Sequence, residues 1–137
     1  MPPSLPLAPL RRAARQAAAR AYAPYSRFKV GAAILTMDGK VYTGCNVENA
    51  SYGLCNCAER TAIFSAVAAQ KKNLKLRCVV IYTDTDAPTA PCGACRQVIN
   101  EFGPAARVVS YCRGKDVIDT TLDQLLPGAF GPANLGR

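Results

Sequence analysis

The 137 residues are 50% hydrophobic and carry 17 Lys and Arg against 9 Asp and Glu, a formal charge of +8. No stretch approaches the about 20 uninterrupted apolar residues of a membrane span, which argues against a membrane-spanning chain, and the length suits one domain over residues 1–137 whose core needs no cross-links. There is no histidine, so any metal site must be built from Cys, Asp or Glu. Any proton carrier working near neutral pH must then be a perturbed carboxylate, thiol or lysine.

The N-terminus, with Arg11, Arg12, Arg15 and Arg20 among alanines, has a superficial likeness to a transit peptide. Leu7, Leu10, Ala14, Ala17, Ala18 and Ala21 nevertheless recur at helical spacing, which predicts a surface helix from about Ala8 to Ala21. After a turn at Pro24-Tyr25-Ser26, Phe28 to Thr36 reads as a strand, Met37 to Lys40 as a hairpin loop with an Asp-Gly signal, and Val41 to Asn46 as the returning strand. Val47 to Asn56 lacks periodicity and is rich in Asn, Ser and Gly, as befits a loop that presents side chains. A helix is predicted from Cys57 to about Ala69, with Ala62, Phe64, Ala66, Val67 and Ala69 as its apolar cover. Arg77 to Thr83 is a short buried strand, Asp84 to Pro91 a loop and Gly93 to Phe102 a second helix of this half. Arg107 to Cys112 is another strand, Val117 to Asp119 the last one, and Thr121 to Leu126 a terminal helical turn stopped by Pro127-Gly128. This order implies an α/β chain: a three-layer α/β/α sandwich around a mixed, about five-stranded sheet.

The positive charge is dispersed. Its densest stretch, Lys71, Lys72, Lys75 and Arg77, reads as a solvated loop without interleaved aromatics for base stacking, so no stable nucleic-acid partner is expected. The apolar segment of a secretory signal is missing, and seven cysteines leave one over in any pairing scheme. A reduced, cytoplasmic setting is expected, with the cysteines serving as ligands or small buried hydrophobes. Cys78 and Cys112 fall in predicted strands and read as core fillers, while Cys45 and Cys55 receive no role.

Chemistry concentrates in Cys57-Ala58-Glu59 and Pro91-Cys92-Gly93-Ala94-Cys95. Cys92 and Cys95, at i and i+3, share one side of a helix and can close on one ion. A lone C-x-x-C is weak, because redox motifs and zinc ribbons share it; Cys57 supplies a third thiol. Both groups stand at predicted helix starts, where the dipole and free N–H groups favour thiolates. Three thiolates around zinc leave a fourth tetrahedral position open for water, the arrangement of a catalytic rather than a closed structural site. A structural zinc module would need a fourth ligand and would leave Glu59 without a purpose. Arg60, next to that acid, is the expected cation that moderates thiolate charge, and Glu59 is the best-placed proton carrier where no histidine exists.

These elements match the description of zinc deaminases as an x-E segment followed by P-C-x-x-C. Over nearly its whole length the chain resembles the small homotetrameric zinc-dependent cytidine deaminases. The blocks that carry the resemblance are Tyr22-Ala-Pro-Tyr-Ser-Arg-Phe28, Val30-Gly-Ala-Ala33, Gly44-Cys-Asn-Val-Glu-Asn49, Cys57-Ala-Glu-Arg-Thr61, Pro91-Cys-Gly-Ala-Cys-Arg-Gln97 and Leu125-Leu-Pro-Gly-Ala-Phe130. The resemblance implies one zinc per subunit on Cys57, Cys92 and Cys95, and Glu59 as proton shuttle while zinc-activated water attacks C4 of cytidine or deoxycytidine in pyrimidine salvage. It further implies that Asn46, Val47 and Glu48 hold the ribose, that Phe28 and the Ala58 backbone meet the base, and that Phe130 covers it from a neighbouring subunit. Within the class, an aminonucleoside-antibiotic deaminase is the nearest alternative, weighed against by Asn46-Val47-Glu48. An enzyme that edits RNA or DNA is a further one, supported by charge alone.

Overall fold

The computed structural model describes residues 4–70 and 73–137; Lys71 and Lys72 of the basic stretch lie outside the described residues. Its centre is a five-stranded sheet of β1 (Val30–Thr36), β2 (Val41–Cys45), β3 (Leu76–Thr83), β4 (Arg107–Tyr111) and β5 (Ile118–Thr121), in the order β2-β1-β3-β4-β5. Only β3 and β4 run parallel; the other pairs are antiparallel. This is the mixed sheet expected from the order of elements.

Helix α1 (Leu7–Ala18) covers one face. Its Leu10, Ala14 and Ala18 pack with Ala33, Leu35, Val80 and Val109. The helix stops short of Ala21 because the last N–H groups tighten onto carbonyls three residues back, Arg20 to Ala17 and Ala21 to Ala18, and the Tyr22 N–H is taken by the Asn46 carbonyl at 3.0 Å. Helices α2 (Ala58–Gln70) and α3 (Gly93–Phe102), with the short α4 (Leu122–Leu125), cover the other face around Ile34, Ile63, Val79, Ile81, Ile99 and Val108. Strand β3 sits mid-sheet under both layers, which is why it reads as a continuous apolar run instead of an alternation.

Two glycines let the helices come down onto the hairpin. A Cβ at Gly31 would stand 1.9 Å from the Ala14 carbonyl oxygen, and one at Gly44 would stand 2.4 Å from the Ala62 nitrogen, distances no side chain tolerates. Gly44 thus sets how closely β2 approaches α2, and α2 carries Glu59 at its start.

Several predicted boundaries shift for identifiable reasons. Phe28 and Lys29 lie outside β1 because the Phe28 N–H and carbonyl are engaged by side chains, the Ser26 hydroxyl and the Asn46 amide. The last strand runs to Thr121, which pairs with Arg107. The buried residues of α2 are Ala58, Glu59, Ala62, Ile63 and Ala66. That helical phase turns Phe64 and Val67 outward, contrary to their expected place in the apolar cover. Cys78 is buried in β3, and Cys112 is buried one residue beyond β4, its thiol 3.6 Å from the Asp86 and Asp116 carbonyls.

Candidate active site

A cavity of about 470 Å³ opens where the starts of α2 and α3 meet the end of β3. Cys57 directly precedes α2, Cys92 is the N-cap of α3 and Cys95 lies in its first turn. The three sulfur atoms all lie within 4.8 Å of one another, the Cys57 and Cys92 sulfurs 3.7 Å apart. Cys57 and Cys92 line the cavity; Cys95 is fully buried and does not.

The thiols share a negative charge unequally. A hydrogen bond from Cys95, with others from Arg60 and Cys92, brings the Cys57 thiol down to about 5, and the Cys95 thiol is pushed up because it keeps the proton it donates. The Arg60 guanidinium Nη2 lies 3.3 Å from the Cys57 sulfur, while its Nε is buried without a hydrogen-bond partner. One ionised sulfur, a second sulfur that shares its proton, and a third at contact distance form a soft anionic donor set. Zinc binding displaces such protons and takes their place, so the cluster fits a zinc ion.

Glu59 stands in the first turn of α2 and is 4% exposed. Burial raises its carboxyl above the usual carboxylate range, and the Cys57 thiolate adds to the effect. It lines the same cavity as Cys57 and Cys92. A carboxyl held back from ionising beside an open pocket has the property required of a group that must both accept and deliver a proton near neutral pH.

The opposite wall is polar at defined points. Asn46 accepts the Val30 N–H on Oδ1 at 2.8 Å and donates from Nδ2 to the Phe28 carbonyl at 2.7 Å. That fixes the orientation of the amide and leaves one N–H uncommitted among the described residues. Glu48 is held below the usual carboxylate range, first by the Ser26 hydroxyl and then by the Ser26 and Tyr25 N–H groups. Phe28, Asn46, Glu48 and Ala58 all line the cavity. The loop that carries Asn46 and Glu48 is tied by single bridges from Val47 to Tyr22 and to Asn56.

Two residues singled out from the sequence lie elsewhere. The Val47 side chain is outside the cavity lining, and Phe130 is 58% exposed, with its carbonyl accepting hydrogen bonds from Gln97 at 2.8 Å and Asn100 at 3.2 Å on α3. Conversely, Ser26, Asn56, Thr83 and Thr89 line the cavity without having been identified. Ser26 had a signal in the Pro24-Tyr25-Ser26 turn; the others are brought in by tertiary convergence. Cys55 also lines the cavity, but its sulfur accepts the Asn49 N–H at 3.3 Å and does not belong to the thiol cluster.

Known proteins are similar to this chain in sequence and in fold. A family model described as the cytidine and deoxycytidylate deaminase zinc-binding region matches residues 8–112. The cytidine deaminase of Sporosarcina psychrophila is 49% identical over 122 residues, covering 88% of each chain. That of Mycobacterium tuberculosis is 46% identical over 129 residues, covering 93% of this chain and 92% of the other. Among solved structures, cytidine deaminase from Burkholderia pseudomallei superposes with a TM-score of 0.86 at 54% identity, over 92% of this chain and all (100%) of that one. The M. tuberculosis structure gives 0.77 at 41%, over 93% and 99%. With the site built on the residues that these comparisons span, the chain belongs to the cytidine deaminase family and carries its zinc-binding region.

Proposed function

We propose that this protein hydrolyses the exocyclic amine of cytidine and deoxycytidine, giving uridine or deoxyuridine and ammonia, with Glu59 as the proton carrier. The observation that carries the proposal is the buried Glu59 carboxyl beside three clustered thiols, at the edge of a cavity whose other wall offers Asn46 and Glu48. Zinc held by Cys57, Cys92 and Cys95, one ion per subunit, would supply the Lewis acidity that makes water nucleophilic near neutral pH. Glu59 takes a proton from the attacking water and gives it to N3 as oxygen adds to C4 and the C4–N3 π electrons move onto nitrogen. It then carries the second proton to the exocyclic amine, which leaves as ammonia while C4 becomes a carbonyl. Arg60 holds the Cys57 thiolate and offsets its charge, so that the donor set does not suppress the acidity it exists to create. Phe28 and the Ala58 backbone flank the base; Asn46 and Glu48, with Val47 between them, hold the sugar.

Loss of the cytidine absorbance band with release of ammonia tests the reading, with adenosine and cytidine monophosphate as controls. The Glu48 anion near the sugar disfavours a phosphate, and a mismatch of only 1.4 kcal/mol is tenfold. The specificity constant for cytidine is therefore expected to exceed that for its monophosphate by at least about tenfold. Equal constants would contradict the placement of Glu48. Conversion of one free pyrimidine nucleoside into another supports a role in pyrimidine salvage. The seven free thiols, three of which must stay reduced to hold metal, support a cytoplasmic setting.

The active form proposed is a homotetramer. Phe130 is anchored by its carbonyl with its side chain exposed, outside the cavity of its own chain, and Tyr22, Tyr52, Leu54 and Phe64 are large exposed hydrophobics of the kind that association covers. In this assembly Phe130 closes a neighbour's cavity over the base. Truncation after Gln124 should weaken association and activity together, whereas Phe130→Ala should keep the tetramer and raise KM about tenfold or more, the worth of an aromatic contact that excludes water. A fully active monomer by sedimentation at assay concentration would refute the shared site.

A further inference from the structure

Ser26 lies in the first turn after Pro24 and lines the cavity between Phe28 and Glu48. Its hydroxyl makes two bonds at once: it donates to Glu48 Oε2 and accepts the Phe28 N–H at 3.0 Å. The other carboxylate oxygen, Oε1, accepts the Tyr25 N–H at 2.9 Å and the Ser26 N–H at 3.1 Å. An ionised carboxylate offers about four acceptor sites, so three are committed to this one turn. Both N–H groups fall on Oε1, which leaves the remaining site on Oε2, the oxygen whose hydrogen-bond donor among the described residues is the Ser26 hydroxyl.

From this we infer that Ser26 is a positioning residue for substrate specificity. Its hydroxyl fixes the rotation of the Glu48 carboxylate so that one acceptor site on Oε2 is presented to a sugar hydroxyl, and it ties that acid to the backbone of Phe28, so the groups that meet sugar and base share one rigid turn. The inference rests on the reading of the cavity as a nucleoside site. Without the Ser26 Oγ, Oε1 remains held by two backbone donors, but Oε2 has no donor from the turn and the carboxylate can rotate about that anchor. The chemistry at Glu59 belongs to the other wall and is untouched.

The test combines a substitution with a change of substrate. Ser26→Ala should raise KM for cytidine about tenfold, the worth of one charge-assisted hydrogen bond, with a much smaller change in kcat. With 2′,3′-dideoxycytidine, which has no sugar hydroxyl at those carbons for Glu48 to accept from, the same substitution should lower kcat/KM by a much smaller factor than with cytidine. Ser26→Thr keeps the hydroxyl and should restore cytidine binding; Ser26→Cys, a weaker donor, should fall between, and it decides the matter if the alanine variant does not fold. A purely structural role would lower activity on both substrates alike, and that outcome, or an unchanged KM for cytidine, overturns the inference. If the wild type turns over cytidine and Ser26 proves indifferent, only this inference fails. A wild type that leaves cytidine intact removes the functional reading and this inference together.

Discussion

Glu59→Gln should lower kcat by about 10²- to 10⁴-fold, the range associated with a positioned acid–base group, while zinc content and nucleoside binding stay near wild type. Glutamine keeps the length and shape of the side chain, so the cavity and the thiol cluster remain as they are. What it cannot do is take a proton from water and return it to N3 and to the departing amine. The same substitution should leave thermal stability unchanged or raise it. Burying a carboxyl at 4% exposure next to the Cys57 thiolate carries a desolvation penalty that the wild type retains for function, and a neutral amide relieves it. Loss of turnover together with an equal or higher melting temperature would separate a catalytic role from a structural one. Near-normal turnover would mean that another group carries the proton.

The three-cysteine cluster and the buried Glu59 carboxyl were legible as candidates in the sequence because their signals are local. Cys57 with Glu59, and Cys92 with Cys95, are pairs two and three residues apart at helix starts, and the absence of histidine narrowed the remaining choices. The bounds of α3, Gly93 to Phe102, were read correctly for a similar reason, with Pro91 before the helix and Gly103 after it. What escaped was decided by contacts between distant segments. The outward turn of Phe64 and Val67 follows from the helical phase that puts Ala58, Ala62, Ile63 and Ala66 against the sheet, and alanine-rich helices show that phase poorly. The Val47 bridges to Tyr22 and Asn56 order a loop that has no periodicity of its own. Thr83 and Thr89 join the cavity from the end of β3 and the loop beyond it, and neither residue type stands out in a linear reading. The short helical turn Pro132–Leu135, capped by the Asn134 side chain on the Gly131 N–H and ended by Gly136 in the left-handed conformation, was not predicted.

Cys92→Ala should remove both zinc and activity, and the fold should survive it. Cys92 is an exposed N-cap residue with no side-chain hydrogen bond to the start of α3, so truncating it creates no cavity and forfeits no cap. Its remaining role in the cluster is as a donor: the Cys57 and Cys92 sulfurs are 3.7 Å apart, and with Cys95 they form the cysteine triad available to one ion. Two thiols hold zinc far more weakly than three, because each lost ligand leaves a coordination position to water. Wild-type protein is expected to hold about one zinc per chain by elemental analysis and to melt at a lower temperature once a strong chelator is added, since a metal bound only to the folded state stabilises it by mass action. The Cys92→Ala protein should contain little zinc, show no deamination, and melt near the chelator-treated wild type whether or not chelator is present. Active wild-type protein without zinc would refute the metal assignment, whereas a variant that retains zinc but loses turnover would move Cys92 from the donor set to the substrate wall.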